Sequence, residues 1–168
     1  TADYAVGWMP AAGFFDRVTG LRAFFSMGAG VERLLRDPAL PPALPVYRLE
    51  DAVMGWQMAE YCLAQVLALR TRAADYARQQ SQRQWLELPA LRREQFRIGL
   101  LGHGVLGRQV ADAFLALGYP VAAAVRSQPA QPPAAGVDLF VGAQRLAAFL
   151  ARTDVLILLA PLTSDTEN

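Results

Sequence analysis

Phe96-Arg97-Ile98-Gly99-Leu100-Leu101-Gly102-His103-Gly104-Val105-Leu106-Gly107 is the stretch on which the fold turns. Phe96 to Leu101 reads as a buried strand, and the glycines after it are spaced Gly-x-Gly-x-x-Gly. Behind them Val110, Phe114, Leu115 and Leu117 describe the apolar face of a helix that Gly118 terminates. The glycine spacing alone is a weak signal. Set between a strand and a helix, it has a physical reading. The first glycine permits the tight turn, the second lets the backbone approach a pyrophosphate, and the third lets helix and strand pack closely. The positive end of the helix dipole and the free amides of its first turn then attract a diphosphate. On this reading Gly102, His103, Gly104, Val105, Leu106 and Gly107 form a dinucleotide cradle; a turn that serves packing alone is the competing reading.

Downstream, Pro120 to Val125 is a second strand, apolar throughout as expected of a parallel strand covered on both faces. Ser127 to Gly136, with Pro129, Pro132 and Pro133, is a surface loop. Val137 to Val141, a helix from about 143 to 151 and the strand Val155 to Leu159 continue the alternation. The fold class is therefore α/β, with a Rossmann-type doubly wound parallel sheet. That sheet is incomplete, because only four of its six strands follow Gln95.

A cradle for NAD places an Asp or Glu about 20 residues further on, where it binds the ribose 2′-hydroxyl. Between Leu117 and Val137 this chain has no carboxylate, and the second strand ends in Arg126-Ser127. A guanidinium and a hydroxyl suit a 2′-phosphate, whereas an acid would repel it. The expected cofactor is thus NADP(H) in preference to NAD(H), a solvated arginine at a strand end being the alternative.

Upstream, Tyr4 to Trp8, Leu21 to Met27 and Val46 to Leu49 read as strands. Gly28-Ala29-Gly30 is a second strand-to-helix turn, leading to a short helix through Val31, Leu34 and Leu35 that Asp37-Pro38 closes. From Met54 the apolar residues recur at three and four: Met54, Met58, Tyr61, Cys62, Val66, Leu69, Ala73 and Tyr76. No Gly or Pro interrupts Gln57 to Leu88, so the pattern predicts one helix to about Gln84, nearly 45 Å long. Trp85 to Arg93 is a linker broken at Pro89.

Among 168 residues, 54% are hydrophobic and 18% charged, enough to bury a core and too apolar for a disordered chain. Sixteen basic residues, all arginine, face fifteen acidic ones, so no general attraction to nucleic acid or an anionic membrane is expected. Cys62 is the single cysteine and His103 the single histidine. No internal disulfide is possible, which makes the cytoplasm the default compartment. The longest apolar run, Val155 to Leu162, falls far short of the ~20 residues of a membrane helix. Neither an initiator Met nor the order of a signal peptide opens the chain, which is expected of a processed product or a fragment. His103 reads as a filler near the diphosphate rather than a general base, since the phosphate end of a cofactor is far from its hydride. Cys62 reads as core packing. No spacing suits a metal site, and no nucleophile elbow is present.

The chain resembles the D-2-hydroxyacid dehydrogenase family, and most closely its glyoxylate/hydroxypyruvate reductase branch. The likeness runs over nearly the whole chain. Tyr4-Ala5-Val6-Gly7-Trp8, Gly28-Ala29-Gly30-Val31-Glu32, Arg48-Leu49-Glu50-Asp51, Met54-Gly55-x-Gln57-Met58-x-Glu60-Tyr61, the glycine turn and Leu158-Leu159-x-Pro161-Leu162-Thr163-x-x-Thr166 carry it. The resemblance implies residues 1–52 as part of a flavodoxin-like substrate domain, 53–94 as an interdomain helix and linker, and 95–168 as the first part of the dinucleotide domain. It implies that Trp8 lines the substrate pocket and that the amides of Ala29 and Gly30 hold a substrate carboxylate. Met58 would approach the nicotinamide, and Ala160, Pro161 and Leu162 would flank the adenosine and ribose. For Trp8 and Met58 plain packing is the alternative. The implied reaction is hydride transfer to a small 2-oxoacid, in a homodimer. Its Arg, its Glu or Asp and its His are expected beyond Asn168, which would leave these 168 residues inactive by themselves. A non-enzymatic dinucleotide-binding regulator of the same fold is the rival reading. A methyltransferase is a third, disfavoured by Arg126 where that fold wants an acid.

Overall fold

The computed structural model describes residues 2–50, 53–161 and 166. They form two compact units, one from the described residues of Thr1–Ala52 and Pro161–Asn168, the other Val53–Ala160.

The first unit is built on three parallel strands, β1 (Tyr4–Gly7), β2 (Ala23–Ser26) and β3 (Val46–Arg48), adjacent in chain order. Such a sequential run is what strands 3, 4 and 5 of a flavodoxin-like sheet show. Tyr4 lies opposite Ala23, and Phe24 opposite Val46. Two single-turn helices, α1 (Phe14–Arg17) and α2 (Glu32–Leu35), help to cover one face. Phe15, Phe24 and Leu34 are the buried centre there, with Ala5, Leu21, Leu40 and Val46 packed against them. The period-2 alternation of strands sends Phe25 and Tyr47 to the opposite face. They stack there with ring centroids 5.2 Å apart.

The second unit begins with α3 (Met54–Arg70) and α4 (Ala73–Ser81). It continues through β4 (Ile98–Leu101), α5 (Val105–Ala116), β5 (Val121–Val125), β6 (Val137–Val141), α6 (Leu146–Leu150) and β7 (Val155–Leu158). All four strands are parallel, in the order β6-β5-β4-β7. This is the 3-2-1-4 arrangement of a doubly wound sheet, whose direction of growth reverses beside its first strand. Ile98 pairs with Val121 on one side and Val155 on the other.

Alternation along β4 decides which face packs on what. Ile98 and Leu100 are fully buried in a core with Val110, Ala111 and Phe114 of α5 and Ala59, Cys62 and Val66 of α3. On the other face Ala122, Ala124, Phe140 and Phe149 form a second cluster. Gly99 points into it. A Cβ there would meet the Phe149 ring at 2.9 Å and overlap the Thr153 side chain, so no larger residue fits this strand position without a shift.

The single long helix expected from Met54 to Gln84 is two helices. Arg72 between them takes a left-handed conformation, φ 55°. Leu67 carries both the Thr71 amide and the Thr71 hydroxyl on its carbonyl, at 2.8 and 2.7 Å. The Arg72 guanidinium is bonded to the Pro89 carbonyl at 3.1 Å and paired with Asp75 at 3.6 Å. Apolar periodicity carries no signal for such a bend, because both segments keep the same spacing. The three tryptophans, Trp8, Trp56 and Trp85, remain 67%, 61% and 99% exposed. Among the described residues no helix is long and apolar enough to cross a membrane.

Candidate dinucleotide site

The turn between β4 and α5 lies at the carboxyl ends of the strands, beside the point where the strand order reverses, which is where open α/β sheets bind ligands. Backbone bonds fix it: the Gly102 amide donates to Ala124 O at 3.0 Å, and the Leu159 amide to Leu101 O at 2.9 Å.

Each glycine of the motif meets a different constraint. Gly102 has φ 108°, and a Cβ on it would stand 2.8 Å from Leu159 C and 2.9 Å from Ala160 N. Gly107 lies in the first turn of α5, where a Cβ would overlap the Gly102 carbonyl oxygen. Gly104 is the reverse case: a Cβ there would meet nothing within 4 Å. Two glycines are thus required by the protein's own packing, while the middle one keeps an open face over the helix end. Among the described residues no side chain caps α5, whose twelve residues begin immediately after Gly104. A diphosphate fits this cradle, since it needs close backbone approach and unclaimed amides.

His103 between the first two glycines is 4% exposed, and neither ring nitrogen has a hydrogen-bond partner among the described residues. Burial holds its imidazole below the ordinary value. Arg108 pushes the same way, and Asp112 opposes both. Arg126 and Ser127 follow β5 directly and are exposed. The loop after them is tied to the turn by Arg108, whose guanidinium donates to Gln131 O at 2.9 Å and Pro132 O at 3.0 Å. Sequence reasoning missed Arg108, because nothing in the spacing links it to carbonyls over twenty positions away.

Ala160 lies against Gly102 at the end of β7, and Pro161 follows it in the chain. Leu162 lies outside the described residues. Met58 is half-buried against the core of the second unit. Cys62 is buried in the same core, which pushes its thiol up.

In the first unit, Trp8 lies over Gly28, with ring atoms 2.7 Å from where a Cβ would be. The Ser26 hydroxyl receives the Gly28 amide at 3.2 Å, and the Arg48 guanidinium donates to Ala29 O at 3.2 Å. Trp8, Gly30, Arg33 and Asp16 line a cleft of about 560 Å³. A larger cleft, about 900 Å³, lies along α4 under Trp85 and Leu86 and contains none of the expected site residues. Among the described residues no cluster of His, Cys, Asp and Glu could hold a metal ion.

The family model for the NAD-binding domain of D-isomer specific 2-hydroxyacid dehydrogenases matches residues 63–168. The chain belongs to this family. It is 41% identical to the glyoxylate/hydroxypyruvate reductase A proteins of Citrobacter koseri and Escherichia fergusonii, over 98% of its own length and 53% of theirs. Among solved structures of 2-hydroxyacid dehydrogenases, the NADPH-dependent glyoxylate/hydroxypyruvate reductase of Sinorhizobium meliloti, in complex with NADP and sulfate, superposes with a TM-score of 0.89 at 35% identity. That match covers 98% of this chain and 50% of the other. The family enzyme of Xanthobacter autotrophicus Py2, in complex with NADPH and MES, gives 0.85 at 33% identity, covering 97% and 50%. The chain therefore spans about half the length of the 2-hydroxyacid dehydrogenases it matches.

Proposed function

We propose that this chain carries the NADP(H)-binding side of a reductase that converts a small 2-oxoacid, of the glyoxylate or hydroxypyruvate type, to the 2-hydroxyacid. One observation supports the cofactor most: the open face of Gly104 at the start of α5 is paired with Arg126-Ser127, not a carboxylate, at the end of the next strand. The amides of the first turn would hold the diphosphate, and Arg126 with Ser127 the 2′-phosphate. Ala160, Pro161 and Leu162 would flank the adenosine, and Met58 would approach the nicotinamide. When bound, the cofactor supplies the hydride for the keto carbon. Trp8 and the amides of Ala29 and Gly30, in the turn that Ser26 and Arg48 brace, would meet the substrate. Residues 1–52, 53–94 and 95–168 serve as substrate part, interdomain helix with linker, and cofactor part. Homodimeric assembly and, from the cysteine usage, a cytoplasmic location belong to the same reading.

The Arg, carboxylate and His of the reaction are assigned outside these residues, so the chain alone should bind cofactor without turnover. The test is a fluorescence titration with NADPH and NADH, repeated on Arg126→Ala. NADPH should bind at least tenfold more tightly, and the variant should lose most of that preference while keeping its NADH affinity. Equal affinities unchanged by the substitution would refute the cofactor assignment. Glyoxylate-dependent oxidation of NADPH by the chain alone would refute the placement of the catalytic groups.

A further inference from the structure

His103 is the only histidine in the chain, and it is held where no group among the described residues uses its polarity. Buried polar groups are bonded as a rule, and each exception asks for an account. An alanine would fill this position of the turn without leaving two ring nitrogens unbonded. The ring is turned onto the first turn of α5, with Nδ1 3.9 Å from the point a Cβ on Gly107 would occupy. It therefore sits at the same helix end that offers its amides to an anion.

We propose that His103 takes up a proton from solvent when a dinucleotide diphosphate occupies the turn, and that the resulting imidazolium acts as a buried counter-charge to that anion. The inference rests on the cofactor reading above and adds to it one residue and one proton. Among the described residues the charged groups acting on the ring are Arg108 and Asp112, both of α5, and burial together with Arg108 outweighs Asp112. The ring is thereby held toward its neutral form. The diphosphate brings negative charge beside a ring that is only 4% exposed, where it favours the cationic form. Binding then consumes a proton at any pH between the free and the loaded midpoint. Affinity rises as pH falls through that window, tenfold for each unit between the two.

Because the chain has one histidine, its imidazole can be followed in the untagged wild-type protein without assignment. Long-range ¹H–¹⁵N spectra from pH 5 to 8 are recorded for the free chain and at saturation with NAD⁺ and with NADP⁺. NAD⁺ isolates the diphosphate, because the 2′-phosphate of NADP⁺ itself titrates near pH 6. The expected result is a free midpoint below 6.5 and a midpoint at least one unit higher in both complexes. The NAD⁺ Kd should tighten about tenfold between pH 8 and 5.5, and His103→Asn should abolish that dependence. Equal midpoints, or a rise with NADP⁺ alone, would overturn the proposal while leaving the cofactor reading intact. A pH dependence retained in His103→Asn would do the same. Failure of both dinucleotides to bind would overturn the two together. If His103→Asn does not fold, the wild-type midpoints decide.

Discussion

The Arg97 guanidinium grips both carboxylate oxygens of Asp154, Nε to Oδ2 and Nη2 to Oδ1, each at 2.8 Å. The Arg97 amide donates to Oδ2 as well, at 2.8 Å, and the Asp154 amide returns a bond to Arg97 O at 2.9 Å. The pair joins β4 to β7 where both strands begin. The bonds from Arg97 hold the Asp154 carboxyl at about 2, below its usual range. A depressed carboxylate contributes stability that is complete above the unfolded value and is lost as pH falls through the folded one. Asp154→Asn should therefore destabilise the fold at pH 7, by about 1 kcal/mol or less given the solvent around the pair. The gap should shrink from pH 4 downwards and close near pH 2. Urea unfolding followed by circular dichroism at several pH values measures it, and a gap that persists undiminished at pH 2 would contradict this assignment.

Gly104→Ala and Gly107→Ala should separate binding from folding. The first adds a methyl group that touches nothing in the protein, so the melting temperature should move by no more than about 2 °C. The same methyl occupies the open face, and NADPH affinity should fall about tenfold or more. The second gains up to about 1 kcal/mol of helix propensity. It also drives a Cβ into the Gly102 carbonyl oxygen, an overlap that costs about 1–3 kcal/mol and wins. Melting curves beside cofactor titrations distinguish the two variants; identical effects on both would show that the middle glycine also serves packing.

Cys62 should resist thiol reagents. Its side chain packs with Val66, Val110 and Phe114, and burial disfavours the thiolate that would react. Ellman's reagent at pH 7.5 should label the native chain at least a hundredfold more slowly than the chain in guanidinium chloride. Comparable rates would place the thiol outside the core.

Val53 precedes α3 with φ 63°, a conformation that a β-branched residue adopts only under strain. Val53→Gly removes that strain, about 1 kcal/mol, but adds backbone freedom to the unfolded chain. Stability should stay level or rise slightly, whereas Val53→Ile, which keeps the strain, should bring no gain. Denaturant midpoints of the two variants check the difference.

The cradle was legible because its constraints are local. Gly102 needs a positive φ and Gly107 a missing side chain, and both demands are met by the identity of one residue at one place. The way β5 ends was legible for the same reason, since Arg126-Ser127 occupies a fixed offset from the turn. What the sequence concealed depends on partners distant in the chain. Arg72 bends the expected long helix while holding Pro89 and Asp75, yet an arginine inside an uninterrupted apolar pattern reads as helix. The single turn Phe14–Arg17 is too short for any period to show. Burial of His103 follows from how the turn folds onto α5, which no spacing rule reports.

The exposed tryptophans make the unfolding of this chain optically quiet. Trp8, Trp56 and Trp85 already face water, so denaturation leaves the indole surroundings nearly as they were. A red shift in emission, the habitual gauge of a melting core, would barely register here. The backbone ellipticity of α3 and α5 is the signal that tracks the native state, and cofactor titrations by indole emission gain a baseline that folding does not disturb.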